Sequence, residues 1–412
     1  YNFIILMKVA LITIGNELLS GFTVNTNAAW IGIELGRVGI EISVQHTIQD
    51  EKKDIIFELE QVSKKVSIVI VTGGLGPTHD DVTASAFYSY FNDTPVFDED
   101  YWRDLTDQFS KINYKIPDVN QNQAMKPKKG DCIPNDFGSA RGLLYKINNC
   151  LYFALPGVPK EMKAMMKKSV IPILKDQVTN PFITRTIRTT GIPESALAEK
   201  ITNTIDMRTY NCSLAYLPKL LGVDLRISSQ DEQQIQKFEK KINPVIEKYV
   251  YGYEDEALEE VVGNTLKKCS VTLATAESCT GGLLGHRITQ VSGSSEYYLG
   301  GVVSYNEDAK INLLDVTQET LTKFGAVSEE TVKEMALGVR KLFSSDLGMS
   351  ITGIAGPTGG TEEKPVGLVY IGLSSVKDLI VKKFNFFRDR DSNKQISSQV
   401  ALNMLRLYLR DE

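Results

Sequence analysis

The sequence contains few of the residues from which cysteine- and histidine-based sites are built. Its 412 residues include 5 cysteines and 3 histidines, and no two cysteines form a C-x-x-C pair. The odd number of scattered cysteines argues against a disulfide framework and a cysteine-rich zinc site, and favours a reducing compartment. The histidines also lie too far apart for a sequence-local metal motif. Any metal site must therefore use other side chains.

Long apolar runs and excess positive charge are missing as well. No apolar stretch approaches the ~20 residues that span a bilayer. The net charge of −5 offers no general attraction for nucleic acid or anionic membranes, so we expect neither as a partner. Tyr1–Leu6 is apolar but has no basic flank, and Met7 fits a natural start. These features predict a cytoplasmic protein.

What is present is a globular composition, with 42% hydrophobic and 24% charged residues, and a length that favours about three domains at ~150 residues each. Buried-type strands such as Lys8–Ile14 and Val66–Thr72 alternate with glycine loops and helices, which is typical of parallel α/β sheets. The alternation returns after Tyr253. We predict two three-layer α/β domains, at residues 7–175 and 253–412, joined by a small α+β module at residues 184–252.

Two loops of the last domain follow predicted strands. Strand Val271–Ala276 runs into Glu277–Gly282 and helix Leu283–Gln290, and strand Leu347–Thr352 runs into Gly353–Gly360. Backbone amides at a strand-to-helix junction suit a phosphate, and loops at the carboxyl ends of parallel strands converge on one crevice. The alternative is that the glycines only form turns; two converging loops favour a ligand site.

Nucleophilic side chains lie between these loops. A serine becomes a nucleophile when a base takes its proton, and a lysine of lowered pKa serves as that base in serine–lysine enzymes. Ser295 and Lys310 are one such candidate pair. Cys279, at a helix start, is a rival nucleophile. His286 is more readily explained as a structural residue than as a base.

Long, ordered motifs in this domain closely resemble the CinA (competence/damage-inducible protein A) family. They are Ala276–Gly282, Gly293–Ser295, Gly325–Ser328 and Gly353–Gly367. The resemblance implies a nicotinamide-nucleotide amidase that hydrolyses nicotinamide mononucleotide to the acid and ammonia, without a cofactor.

The resemblance also implies roles for individual residues. Ser295 becomes the nucleophile, Lys310 its base and Tyr305 an accompanying residue. From the strand-to-helix turn and the helix dipole, we assign Thr280, Gly281 and Gly282 to the 5′-phosphate of that substrate. The implied substrate-binding residues are Glu277, Ser278, Thr280, Gly281, Gly282, Asn306, Gly353, Gly356 and Arg390. The sequence departs from the family motifs at Tyr305–Asp308 and Arg388–Arg390, although the spacing from Tyr305 to Lys310 is kept.

The first domain carries a glycine loop followed by acidic residues, Gly73–Asp81, while Gly15–Glu17 ends another strand. Such a loop suits a diphosphate beside a divalent cation, although the carboxylates also suit a helix cap. Here the sequence resembles the molybdopterin-binding-like domain of the same family, which implies an ADP-ribose pyrophosphatase that needs Mg, Mn or Co. The implied nucleotide-binding residues are Asn16, Glu17, Gly73, Gly74, Gly76 and Asp80, and the metal ligand is Asp81.

The middle segment falls where the family has a KH-like module. Its glycines never form the G-x-x-G loop that clamps nucleic acid, and its ten Lys/Arg nearly cancel eight Asp/Glu. We therefore expect a spacer or a homodimer contact. The leading hypothesis is a hydrolase of pyridine nucleotides and ADP-ribose; the alternatives are a mainly pyrophosphatase enzyme with a weakened amidase, or a non-catalytic nucleotide-binding recruitment protein.

Overall fold

The computed structural model describes residues 8–111, 113–176, 183–206 and 209–411; Tyr1–Met7, with the predicted start at Met7, lie outside the described residues. The chain divides into two compact units, and the boundary in the sequence falls between Thr184 and Arg185. The second unit contains both the middle segment and the last domain. Within the described residues, no helix combines the length and the apolar character that a membrane crossing requires.

The first unit is built on a six-stranded sheet of order β2-β1-β3-β8-β7-β6. Strands β1, β2, β3 and β8 are parallel, and β7 and β6 join antiparallel, so the sheet is mixed rather than wholly parallel. The strands are β1 Lys8–Ile14, β2 Glu41–Ile48, β3 Ile68–Thr72, β4 Val96–Phe97, β5 Met125–Lys126, β6 Asp131–Ile133, β7 Gly142–Ile147 and β8 Cys150–Leu155. The helices are α1 Asn16–Leu19, α2 Thr26–Arg37, α3 Lys52–Val62, α4 Thr83–Tyr90, α5 Glu99–Lys111, α6 Pro159–Met165 and, after a π turn, α7 Ile171–Lys175.

Helices cover both faces of this sheet. Along β1, Val9 and Leu11 pack with Ile31 of α2, while Ala10 and Ile12 belong to the core that includes α3 and α4. Because successive strand residues point to opposite faces, a strand buried on both sides needs the continuous apolar run seen in its sequence. This arrangement confirms a three-layer α/β domain.

The middle segment has a four-stranded sheet of order β10-β11-β9-β12. Its α+β composition agrees with the prediction. Its elements are β9 Ile183–Thr189, α8 Glu194–Thr202, β10 Ser213–Lys219, β11 Gly222–Ser229, α9 Glu232–Ile246 and β12 Val250–Tyr253.

The last domain has a five-stranded sheet of order β14-β13-β15-β16-β17, in which β14, β13 and β15 are parallel and the other two are antiparallel. One face packs on α10, α11 and α15, and the other on α12, α13 and α14. The strands are β13 Leu273–Glu277, β14 Tyr298–Val303, β15 Leu347–Gly353, β16 Leu368–Ser374 and β17 Leu379–Asn385. The helices are α10 Leu258–Cys269, α11 Leu283–Thr289, α12 Glu307–Leu314, α13 Gln318–Phe324, α14 Glu329–Phe343 and α15 Arg390–Asp411.

Candidate active site

The site of the last domain lies at the point in the sheet where the strand order reverses, next to β13. From β13 the chain crosses to β14 on one side and later to β15 on the other. At such a switch point the loops that leave the carboxyl ends diverge and open a ligand crevice. Ser278 directly follows β13, and Tyr305 and Gly356 follow the two flanking strands. The predicted convergence of these loops is therefore observed.

Ser278 and Lys310 form the central pair of this crevice. Lys310 Nζ donates to Ser278 Oγ at 3.1 Å and to the Ser304 carbonyl oxygen at 2.7 Å. Lys310, on α12, is 1% exposed and Ser278 is 8% exposed. Burial lowers the pKa of Lys310 below its ordinary value, against the opposing effects of Cys279 and Glu307. A buried lysine that disfavours its charge is suited to accept a hydroxyl proton.

The predicted contact between Ser295 and Lys310 is wrong. Ser295 is exposed in a short 3-10 turn before β14, whereas Lys310 follows that strand. Tyr297, two residues beyond Ser295, bonds through its carbonyl oxygen to the amide of Leu273 at the start of β13. Ser295 thus lies at the amino edge of the sheet. The six residues of β14, about 20 Å at ~3.3 Å each, separate it from the crevice.

Cys279 is not suited to be the rival nucleophile. Its thiol is 6% exposed within the apolar core under α10, α11 and α15. Burial raises the pKa of this thiol to about 12. Since only the thiolate attacks efficiently, Cys279 is inert at neutral pH.

The start of α11 does not offer the phosphate cradle that the sequence predicted. The Glu277 carboxylate, 2% exposed, accepts from the amides of Gly282, Leu284 and Gly285 at 3.1, 3.0 and 2.8 Å. The Gly281 amide bonds the Ser278 carbonyl oxygen. An internal carboxylate therefore occupies the positive end of the helix, and the amides of Gly282, Leu284 and Gly285 are not available to a phosphate.

Arg390 links the other two loops of the crevice. Its guanidinium donates to the Gly356 carbonyl oxygen at 2.7 Å and to the Tyr305 hydroxyl at 2.8 Å. The structure thus brings these three predicted residues together. Asn306 instead caps α12, because its Oδ1 accepts from the Ala309 amide at 2.9 Å. Gly353 closes β15, where a Cβ would lie 2.6 Å from the Leu368 carbonyl oxygen.

Two buried hydroxyls beside the pair have no partner among the described residues. They are Thr280 Oγ1 and Ser304 Oγ, both on residues that are 0% exposed. Buried polar groups are normally hydrogen-bonded, so these two hydroxyls retain unused hydrogen-bonding capacity beside the pair. Sequence reasoning missed Ser304, although its position at the end of a strand beside Tyr305 was a usable signal.

The first unit has a comparable crevice at the carboxyl ends of β1, β3 and β8. A cavity of about 110 Å³ lies there. Asn27 Oδ1 beside it is buried without a partner in the described chain. Gly73 has φ +115°, and a side chain on it would collide with the Ile14 carbonyl oxygen, so only glycine allows these strand ends to approach.

Four carboxylates gather near this crevice. Burial raises the pKa of Asp50, and Glu17, Asp81 and Asp80 add to the effect, while the bond from the Asn16 amide at 2.9 Å opposes it. Asp50 follows β2 at the same sheet edge; the sequence analysis missed it.

Asp81 also caps its loop, because one oxygen accepts from the Thr78 amide at 2.9 Å and from the Thr78 hydroxyl at 2.5 Å. Gly74 and Gly76 lie close to Asp50 and Asp81, respectively. A carboxylate group is chemically suited to a hard divalent cation. In the described ranges, however, no group of three or more His, Cys, Asp or Glu side chains lies close enough together to coordinate a metal ion.

Comparisons with known proteins cover nearly all of the chain. The sequence matches the CinA C-terminal domain over residues 255–409, a probable molybdopterin binding domain over 10–176 and the damage-inducible protein CinA KH domain over 184–252. A CinA-like protein from Cytophaga hutchinsonii is 40% identical over 97% of this chain and 98% of its own. One from Salinibacter ruber is 40% identical over 98% of this chain and 100% of its own.

Solved structures match parts of the chain. A competence-damaged protein (CinA) superfamily protein from Klebsiella pneumoniae is 32% identical over 38% of this chain and 97% of its own, with a TM-score of 0.37. The competence/damage inducible protein of Agrobacterium tumefaciens is 35% identical over the same shares, with a TM-score of 0.36. The full-length identity to the curated relatives decides the assignment: the chain belongs to the CinA family.

Proposed function

We propose that the last domain is a serine–lysine amidase that hydrolyses the carboxamide of nicotinamide mononucleotide. The observation that carries the proposal is the 3.1 Å hydrogen bond between Lys310 Nζ and Ser278 Oγ, made by a buried lysine whose pKa is lowered. Ser278 takes the nucleophile role that the sequence had given to Ser295. The substrate is the one that the family resemblance implies.

The pair supports a two-step reaction. Neutral Lys310 accepts the Ser278 proton while Oγ attacks the carboxamide carbon, and the resulting lysinium returns the proton to the departing ammonia. Water, deprotonated by the same lysine, then cleaves the ester on Ser278 and releases the carboxylic acid. Carbon–nitrogen cleavage is thus balanced by one water, without a metal or a redox partner.

Backbone donors for the developing oxyanion follow Ser278 directly. No backbone oxygen in the described residues accepts from the amides of Cys279 or Thr280, although both amides lie near the Cys279 sulfur and lower the pKa of its thiol against the larger effect of burial. Preorganised amides of this kind contribute about 2.7–4 kcal/mol each to transition-state binding in serine hydrolases. We assign the oxyanion to these two amides and the unpartnered hydroxyls of Thr280 and Ser304 to the substrate's polar groups.

Tyr305 supports a cationic aromatic substrate. Its side chain is 61% exposed at the crevice, and its hydroxyl is held by Arg390. An aromatic face fixed in this way attracts a cation by about 0.5–2 kcal/mol. The pyridinium ring of nicotinamide mononucleotide carries such a charge.

An ammonia-release assay with nicotinamide mononucleotide tests which serine reacts. Ser278→Ala should lower kcat by about 10⁴-fold or more, because the nucleophile is lost. Ser295→Ala is the matched control, since it removes the same hydroxyl at the opposite edge of the sheet, and it should stay within about threefold of the unmodified protein. Loss of turnover in Ser295→Ala alone, with both proteins folded by circular dichroism, would overturn the assignment.

A second activity, in the first unit, is also proposed: metal-dependent hydrolysis of ADP-ribose. Its support is the electrostatic effect of Glu17, Asp80 and Asp81 on Asp50, near the cavity that Glu17 lines; a divalent cation would relieve the repulsion among these carboxylates. Those carboxylates would hold Mg, Mn or Co, which would neutralise diphosphate charge. Asp50→Asn should reduce phosphate-ester release from ADP-ribose and leave ammonia release unaltered; equal loss of both activities would contradict two separate sites.

A further inference from the structure

Lys394, on the second turn of α15, faces the loop that follows Ser278. Its Nζ lies 3.9 Å from the position that a Cβ on Gly281 would take, and apart from Gly281 and its two chain neighbours no other atom of the described residues lies within 4 Å of that position. The space above Gly281 is therefore open on the side of the lysine. Among the described residues, Lys394 Nζ has neither a hydrogen-bond acceptor nor a carboxylate partner.

Two other cations of the crevice, Lys310 and Arg390, already have hydrogen-bond partners. Lys310 is buried against Ser278, and Arg390 is held by Tyr305 and the Gly356 carbonyl oxygen. Since Glu277 occupies the amides at the start of α11, these amides cannot receive an anion. Lys394 has no acceptor among the described residues and can receive an anion. One turn separates it from Arg390, so both project from the same face of α15.

We propose that Lys394 binds the 5′-phosphate of the nucleotide substrate in the open space above Gly281; this inference rests on the proposed amidase function. Gly281 has φ +62° and no side chain, which lets a phosphate approach the backbone beside Nζ. The lysine recognises the phosphate as a point charge. Lys394 is then a specificity residue that distinguishes a nucleotide from its riboside, while Ser278 and Lys310 act on the carboxamide of either.

The test compares kcat/KM for nicotinamide mononucleotide and nicotinamide riboside in Lys394→Gln. A charge-assisted phosphate contact is worth roughly 10- to 100-fold. The nucleotide-to-riboside ratio should therefore fall at least tenfold, mainly through KM, and Lys394→Arg should restore most of it. Lys382→Gln is the control, because it removes an exposed lysine of β17 and should leave the ratio unaltered.

Two results would overturn the inference. One is a ratio in Lys394→Gln that stays within twofold of the unmodified protein while both substrates turn over. The other comes from calorimetry with the product, nicotinate mononucleotide: binding to Lys394→Gln that equals binding to the unmodified protein. The calorimetric measurement tests the phosphate contact even if neither substrate is deamidated. Absence of deamidation would refute the proposed amidase but not the phosphate contact.

Discussion

Replacing Lys310 by methionine is the sharpest physical test of the proposed base. Methionine keeps an unbranched stem in the buried site but removes the ammonium, which leaves the Ser304 carbonyl oxygen without its 2.7 Å donor. That loss costs about 1–3 kcal/mol and does not depend on pH. The pH-dependent part comes from the lowered pKa of Lys310.

The sign of the pH dependence follows from proton binding. Between the lowered pKa in the folded protein and about 10.4 in the unfolded chain, the unfolded state holds more protons on Lys310, so the free energy of unfolding rises with pH. The slope for one such group is at most about 1.4 kcal/mol per pH unit. Lys310→Met has no such group. Its stability relative to the unmodified protein should therefore decline across this window and level off on both sides.

Differential scanning calorimetry from pH 6 to 11 measures this difference for the transition of the last domain. Both tryptophans, Trp30 and Trp102, lie in the first unit, so their fluorescence provides an internal control that should show no difference between the proteins. A stability difference that is constant with pH would refute a lowered pKa. Ammonia release by the unmodified protein should rise with pH to a plateau, because the base must be neutral, and Lys310→Arg should be inactive throughout.

Further predictions address the rest of the two sites. Cys279→Ala should keep kcat within about threefold, because the thiol of pKa about 12 does not react at neutral pH; an inactive, folded variant would refute this. Combining Ser278→Ala with Lys310→Met should lower kcat little more than either change alone, since the two act as one unit. Additive losses would count against the pair. Arg390→Gln should raise KM for nicotinamide mononucleotide, because Tyr305 loses its 2.8 Å support; an unaltered KM would contradict that role. EDTA should suppress ADP-ribose hydrolysis and spare ammonia release; loss of ammonia release would argue against a metal-free amidase.

Much of the fold followed from local patterns in the sequence. Mostly apolar strands such as Lys8–Ile14 and Leu347–Gly353 were recognisable because burial on both faces leaves few polar positions. Strand β14, Tyr298–Val303, is harder to delimit from the sequence. Its two adjacent glycines and half-exposed edge position weaken the periodicity that would have fixed its ends.

Long-range contacts could not be read from the same patterns. The sequence at Glu277–Gly282 fits a phosphate loop, but nothing local reveals that the Glu277 side chain turns back onto the amides of the helix that follows. Lys394 and Asp50 lie far along the chain from the loops they approach. Their roles depend on the packing of α15 and on the order of the strands, which single-sequence periodicity does not supply.

The choice between the two serines shows what sheet topology adds. Ser278 and Ser295 both lie within motifs that contain glycine and hydroxyl residues, and both precede Lys310 at plausible distances in the sequence. Parallel strands, however, place every strand-to-helix turn at one edge of the sheet and every helix-to-strand turn at the other. Lys310 and Ser278 both follow a strand, whereas Ser295 precedes one. Strand polarity alone therefore pairs Lys310 with Ser278. The number of residues between a serine and a lysine becomes informative only when it is known whether each residue lies before or after a strand.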